Sequence, residues 1–393
     1  MSVKEKQLNL FLQVLHGFAV GISTRDQQEE VVELEQLCHL AEYYHLESFF
    51  YYFLRQELPE KLREKYSSIC QGIFGQSLRQ SCMLAELKQL FNREGIRFLP
   101  FKGADLATRI YPDPVLRPMG DLDILIHPDD CRRACRVLDR KEWRSEELET
   151  EHHYPPRHRN GVTLELHRNL PGFHSPDIVS LWKELEIVDY CEYRLPPELN
   201  LLMLVSHSRN HEWRNGLRMV IDLDWLFQNS VIESEKVEKL HQKYHLTKPD
   251  IVLAAFPELF CSSPLWQSEW DGANKRDGAA HDLRLLIAEY PDFSDRFLEL
   301  AWLEQERFSK TWWKKRLTPF RPAALRKKYH FTSTGLKDYL KYLGIDINRK
   351  LKKSFYFFCH SDAPELQRYN KYKKHLKNEF GAPQEPLTRN HDR

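Results

Sequence analysis

Two aspartates one residue apart, Asp121 and Asp123, sit in the run Arg117-Pro118-Met119-Gly120-Asp121-Leu122-Asp123-Ile124-Leu125-Ile126, which passes into an unbroken apolar stretch. In a strand, residues i and i+2 share a face. This spacing therefore puts both carboxylates on one side and Leu122 and Ile124 on the other. Adjacent carboxylates repel unless something cationic lies between them. A hard divalent ion such as Mg2+ or Mn2+ suits that place, and such ions usually also carry substrate phosphates. A third acid follows in Val162-Thr163-Leu164-Glu165-Leu166-His167, where Glu165 and His167 share the polar face of another alternating run. Upstream, Lys102-Gly103 ends a short apolar run. Glycine there lets backbone approach phosphate oxygens at the mouth of a helix, and Lys102 or Arg117 would neutralise phosphate charge. The chemistry such a set serves is metal-dependent phosphoryl or nucleotidyl transfer, with Asp121, Asp123 and Glu165 as metal ligands and catalytic carboxylates. Each piece also has a plainer reading. The aspartates can be a surface pair, Glu165 a solvated strand residue and Lys102 a strand cap.

Periodicity supplies the elements that must hold these residues. Residues 1–92 read as helical, with apolar spacing at Leu8, Phe11 and Leu15, at Val32, Leu37 and Ala41, and at Met83, Leu87 and Leu90. The pattern then changes. Strands are predicted over 96–101, 121–127 and 161–167. Helices are predicted over 104–111, ended by Pro112-Asp113-Pro114, and from Pro128 to Leu138. Strands separated by helices predict a small mixed α/β core over 93–195, with residues 152–158 as a basic aromatic link. A helical domain over 196–300 follows, then a basic aromatic helical region over 301–380. Residues 381–393 are polar and expected to be disordered.

The chain has 393 residues, enough for two or three domains, and its 58 basic and 57 acidic side chains nearly cancel. Net charge therefore gives no reason to favour nucleic acid as a partner. No apolar run reaches the length of a membrane span, and the N-terminus lacks the apolar core of a signal peptide, so a cytoplasmic protein is expected. The eight cysteines form no CxxC pair. Cys131 and Cys135, four apart on a predicted helix, read as buried thiols.

On Lys102-Gly103, Tyr111-Pro112-Asp113-Pro114, the Arg117-to-Asp123 run and Leu164-Glu165-Leu166-His167, the chain resembles the uncharacterised nucleotidyltransferase-fold family of bacteria, part of the polymerase-β-like superfamily. His207, His211, Leu217-Arg218 and Asp222-Leu223 extend the resemblance, which spans roughly residues 35–275. It implies a nucleotidyltransferase-like α+β core that transfers a nucleoside monophosphate from an NTP with Mg2+ or Mn2+. Asp121 and Asp123 would be metal ligands, and Glu165 the carboxylate that positions or deprotonates the acceptor. Lys102, Gly103, Arg117, His167 and Arg218 would lie on the nucleotide and phosphate side. The resemblance does not imply the acceptor, since family members often lie near polysaccharide or modified-peptide biosynthesis genes; we expect a hydroxyl or phosphate of a small molecule, sugar or peptide. Two features depart from the wider pattern. Gly103 is followed by alanine, and the interval from Gly103 to Asp121 is long.

Other features compete for attention. His207 and His211 have the helical spacing of a zinc pair, but Ser208 stands where a metalloprotease has glutamate, so packing or substrate contact is the simpler reading. Arg218 and Asp222 most simply form a helix ion pair. The basic aromatic segment 310–328, with Trp312, Trp313 and Phe320, offers a surface for a peptide or other anionic partner, or is a solvated face. His152, His153 and His158 read as surface loop. Two rival functions follow: glycosyl transfer from a nucleotide sugar, which also uses DxD, and a non-catalytic peptide-binding adaptor.

Overall fold

The computed structural model of the chain describes residues 11–17, 34–44, 46–145, 154–173, 178–211, 213, 216–260 and 277–289, with a few more between 371 and 379. Segment 310–328, residues 381–393, His152 and His153 lie outside the described residues. The chain divides into one unit of Met1–Pro291 with Phe380–Arg393 and a second of Asp292–Glu379.

Within the first unit, the order β1-β2-β4-β3 builds a four-stranded sheet from β1 (Phe98–Pro100), β2 (Leu122–Ile126), β3 (Arg157–Arg159) and β4 (Val162–His167). β1 runs antiparallel to β2, β2 parallel to β4, and β3 antiparallel to β4. Parallel neighbours need a crossover. The Cys131–Arg140 helix supplies it, laying Cys131, Ala134, Val137 and Leu138 into the core while its arginines face out. From the same side the 34-residue helix Glu60–Arg93 adds Met83, Leu84, Leu87, Leu90 and Phe91. Leu122, Ile124 and Ile126 of β2 and Val162, Leu164 and Leu166 of β4 meet these helices. Alternation then leaves Asp123, Glu165 and His167 on the opposite face.

The mixed helix-and-sheet class agrees with the periodicity, and three details differ. β2 begins at Leu122, so Asp121 lies in the bend just before the strand. The helix after β1 runs Gly103–Arg109 and stops short of Tyr111. Part of the 152–158 link, with Arg159, is an edge strand, β3. It carries no apolar alternation to reveal it. It is paired to β4 by the two-residue turn Asn160-Gly161, both at positive φ (50° and 74°), the backbone that a tight hairpin needs and that Asn-Gly tolerates. A second hairpin, β5 (Glu186–Ile187) with β6 (Tyr193–Arg194), leads toward helix Pro197–Asn210. Helix Gly216–Asn229 follows and meets Phe49 and Tyr111 through Trp225.

Leu164 is fully enclosed opposite Leu122 in the β2–β4 register. Leu164→Ala is expected to cost about 2–5 kcal/mol of unfolding free energy. Ile187→Ala, at a side chain 73% exposed, should stay within about 0.5 kcal/mol of the parent. Chemical denaturation of both variants checks the contrast, and equal losses would contradict this placement of the core.

Candidate active site

The parallel register sets Asp123 beside Glu165 and Leu125 beside His167. His167 Nε2 lies 2.7 Å from Asp123 Oδ1 and 3.5 Å from Glu165 Oε2. One ligand atom from each of Asp123, Glu165 and His167 falls within 4.8 Å of the others. Asp123 and His167 are buried, and Glu165 is half-buried. The edge of the Phe101 ring packs on the His167 imidazole, with centroids 4.9 Å apart, and holds its orientation.

Lys102 reaches this centre from a sharp strand-to-helix turn. Its backbone sits at φ 52°, ψ −130°, a region that glycine enters freely and a side chain enters at a cost of about 1–3 kcal/mol. The strained turn directs Nζ to within 3.0 Å of Asp123 Oδ1, while Phe101 N–H donates to the Asp123 carbonyl at 3.2 Å. Gly103 comes next. A Cβ there would lie 2.5 Å from Met119 Cγ, so the missing side chain makes room for Met119. No side chain caps the Gly103–Arg109 helix.

Residues 117–120 deliver Asp121 to the same place, and two helices, Glu60–Arg93 and Gly216–Asn229, clamp them. Gln80 donates to the Met119 carbonyl at 2.9 Å, and Arg218 to the Pro118 carbonyl at 3.1 Å. Arg117 makes a two-pronged contact with Asp222, at 2.7 and 2.9 Å, and Tyr111 donates its hydroxyl to the same carboxylate at 2.7 Å. The expected Arg218–Asp222 helix pair is therefore replaced. Asp222 faces the loop, where Arg117 offers the geometry of a bidentate fork, and Arg218 turns to a backbone carbonyl. Among the described residues, Arg218 meets no carboxylate at ion-pair distance.

Burial and crowding decide the charges. Asp121 is pushed up to about 6 by burial, then by the neighbouring Asp123 and Glu165 carboxylates. Burial would raise Asp123 too, but hydrogen bonds and charge from His167 and Lys102 outweigh it and hold the carboxyl well below the ordinary range. His167 is raised: burial opposes its protonation, and the hydrogen bonds to Asp123 and Glu165 overcome that. Arg218 is lowered by burial and then by Arg117, against the opposing pull of Asp222 and Glu47.

His207 belongs to this surrounding. Burial, Lys102 and His211 keep it neutral. Its ring lies tilted against that of His211, with centroids 4.4 Å apart, and Nδ1 is enclosed without a hydrogen-bond partner. Among the described residues, neither histidine joins a group of metal-ligand geometry. Cys131 and Cys135 are free thiols outside any such group. His158 sits on β3 with its Nδ1 3.2 Å from Thr163 Oγ1. Sequence reasoning overlooked Gln80, a polar residue on an ordinary helix face with nothing local to mark it, and the Tyr111 hydroxyl. It weighed Asp222 with the wrong arginine.

One ligand atom from each of two carboxylates and an imidazole within 4.8 Å, with Lys102 Nζ 3.0 Å from Asp123 Oδ1, forms a donor set fit for a divalent cation. No helix among the described residues is long and apolar enough to cross a membrane. The family described as "Uncharacterised nucleotidyltransferase" matches residues 30–259. No curated protein and no solved structure matches the chain.

Because Asp121 is protonated more readily folded (about 6) than unfolded (3.8), the folded state holds the extra proton between those values, and stability falls as pH rises through that window. Asp121→Asn should thus raise the melting temperature at pH 7.5, and the gain should shrink below pH 6 and vanish near pH 4. Thermal melts across pH check this, and a gain independent of pH would contradict it. Asp222→Asn, which leaves Arg117 buried without its counter-charge, is expected to cost about 3–5 kcal/mol in denaturant titration. A loss under about 1 kcal/mol would show that the clamp is dispensable.

Proposed function

The chain belongs to the uncharacterised nucleotidyltransferase family, and on that premise we propose that it transfers a nucleoside monophosphate from an NTP to a hydroxyl or phosphate of a small molecule, sugar or peptide. The observation that carries this reading is the convergence of Asp123, Glu165 and His167 within 4.8 Å, with Lys102 on the same carboxylate. Asp121, Asp123 and Glu165 are the carboxylates we assign to a divalent cation, Mg2+ or Mn2+. That cation, when bound, would supply Lewis-acid neutralisation of the triphosphate.

The remaining steps belong to the chain itself. Arg218, which meets no carboxylate at ion-pair distance among the described residues, and Lys102, whose ammonium reaches the centre, bind the phosphate oxygens. Arg117 acts through the clamp on Asp222, keeping the 117–120 loop and hence Asp121 in place. The acceptor oxygen forms its bond to the α-phosphorus as the bond to the bridging oxygen breaks, and pyrophosphate leaves with the electron pair. A hydroxyl acceptor gives its proton to Glu165, the most open of the clustered groups. Orientation and charge neutralisation, with no covalent intermediate, carry the rate enhancement.

Isothermal titration with ATP, GTP, CTP, UTP and a nucleotide sugar, with and without Mg2+, tests this. One NTP is expected to bind only with the metal, and the Asp121→Asn/Asp123→Asn protein should lose that binding. Metal-dependent binding of the nucleotide sugar alone would replace nucleotidyl transfer with glycosyl transfer. Binding of neither would overturn both.

A further inference from the structure

We infer that His167 is a direct nitrogen ligand of the cation, so that the centre favours first-row transition ions of the Mn2+ class over Mg2+. The inference rests on the nucleotidyltransferase reading and goes beyond its all-carboxylate ligand set. The imidazole does not stand behind a single acid. Its Nε2 faces both carboxylates, 2.7 Å from Asp123 Oδ1 and 3.5 Å from Glu165 Oε2, where an ion joining the two acids would also meet the ring nitrogen. The three ligand atoms already lie within 4.8 Å of one another, and Asp121 is not a member of that group. His167 is also held for the task. It is buried, it ends the strand that carries Glu165, and Phe101 meets its ring edge-on at 79°.

The choice of ion follows from donor chemistry. Mg2+ prefers an octahedral shell of oxygens, much of it water, and gives up that water reluctantly. Imidazole nitrogen suits first-row transition ions, and affinity at such sites rises along that series from Mn2+, the ion nearest to Mg2+ in its taste for carboxylates. An Asp–Glu–His set thus gives Mg2+ one poor ligand in three, a ligand that a transition ion takes more readily.

A rival role is available for the same ring. His167 could orient Asp123 from outside the coordination shell, as hydrogen-bonded neighbours of metal ligands do. The two roles separate by spectroscopy. Mn2+ is added to the full-length wild-type protein without nucleotide, and bound Mn2+ is examined by electron spin-echo envelope modulation for coupling to a coordinated 14N. Binding of Mn2+ and Mg2+ is measured in parallel by titration and competition for wild type, His167→Gln and Glu165→Gln. A direct ligand should give nitrogen modulation that His167→Gln abolishes, and His167→Gln should lower the Mn2+/Mg2+ affinity ratio. Glu165→Gln should weaken both ions and leave the nitrogen signal of the remaining bound Mn2+. The wild-type spectrum decides the matter even if a variant fails to fold. Bound Mn2+ without nitrogen coupling would overturn the inference while leaving metal-dependent NTP binding, and so the proposed function, intact. Failure of both ions and every NTP to bind would overturn the two together.

Discussion

A buried aspartate governs this site. Asp123 points from a strand enclosed at every residue, and an isolated carboxylate there would carry a large desolvation cost. The surrounding structure compensates it. The parallel pairing of β2 with β4 brings Glu165 and His167 alongside, and the turn after β1 brings Lys102. Two cationic or protonatable donors on one carboxylate oxygen satisfy it in the resting protein. The same arrangement leaves a compact set of donors facing one point.

That compensation has structural costs elsewhere. Lys102 occupies backbone space natural to glycine, Asp121 is held among like charges, and His207 encloses a ring nitrogen without a partner. Such strained or crowded groups persist when the rest of the fold over-determines them. Here the apolar face of the sheet, under Glu60–Arg93 and Cys131–Arg140, supplies the burial. The Arg117–Asp222–Tyr111 cluster and Gln80 fix the loop that presents Asp121. One face of the sheet supplies stability, and the other bears the functional strain.

The basic side chains near the site are arranged differently in three dimensions from what charge types alone suggest. Lys102 and Arg117 are both engaged with carboxylates in the resting protein, one in the centre and one in the clamp. Arg218, which a helical spacing rule would assign to Asp222, donates to the Pro118 backbone carbonyl and, among the described residues, meets no carboxylate at ion-pair distance.

The sequence by itself determined what is local. Alternation placed Asp123, Glu165 and His167 on the polar side of two strands, and helical spacing marked the long segments that cover the other side, because periods of 2 and 3.6 are properties of a few consecutive residues. It did not reveal β3, whose Arg157-His158-Arg159 has no apolar alternation and is a strand only because the Asn160-Gly161 turn returns it to β4. Nor did it determine that Asp123 and Glu165 stand in register, that Arg117 reaches a carboxylate 105 residues away, or that Gln80 holds the Met119 carbonyl. Those pairings depend on which apolar surfaces cover one another and at what offset. That choice is made by the packing of the whole unit and leaves no mark on the residues nearby.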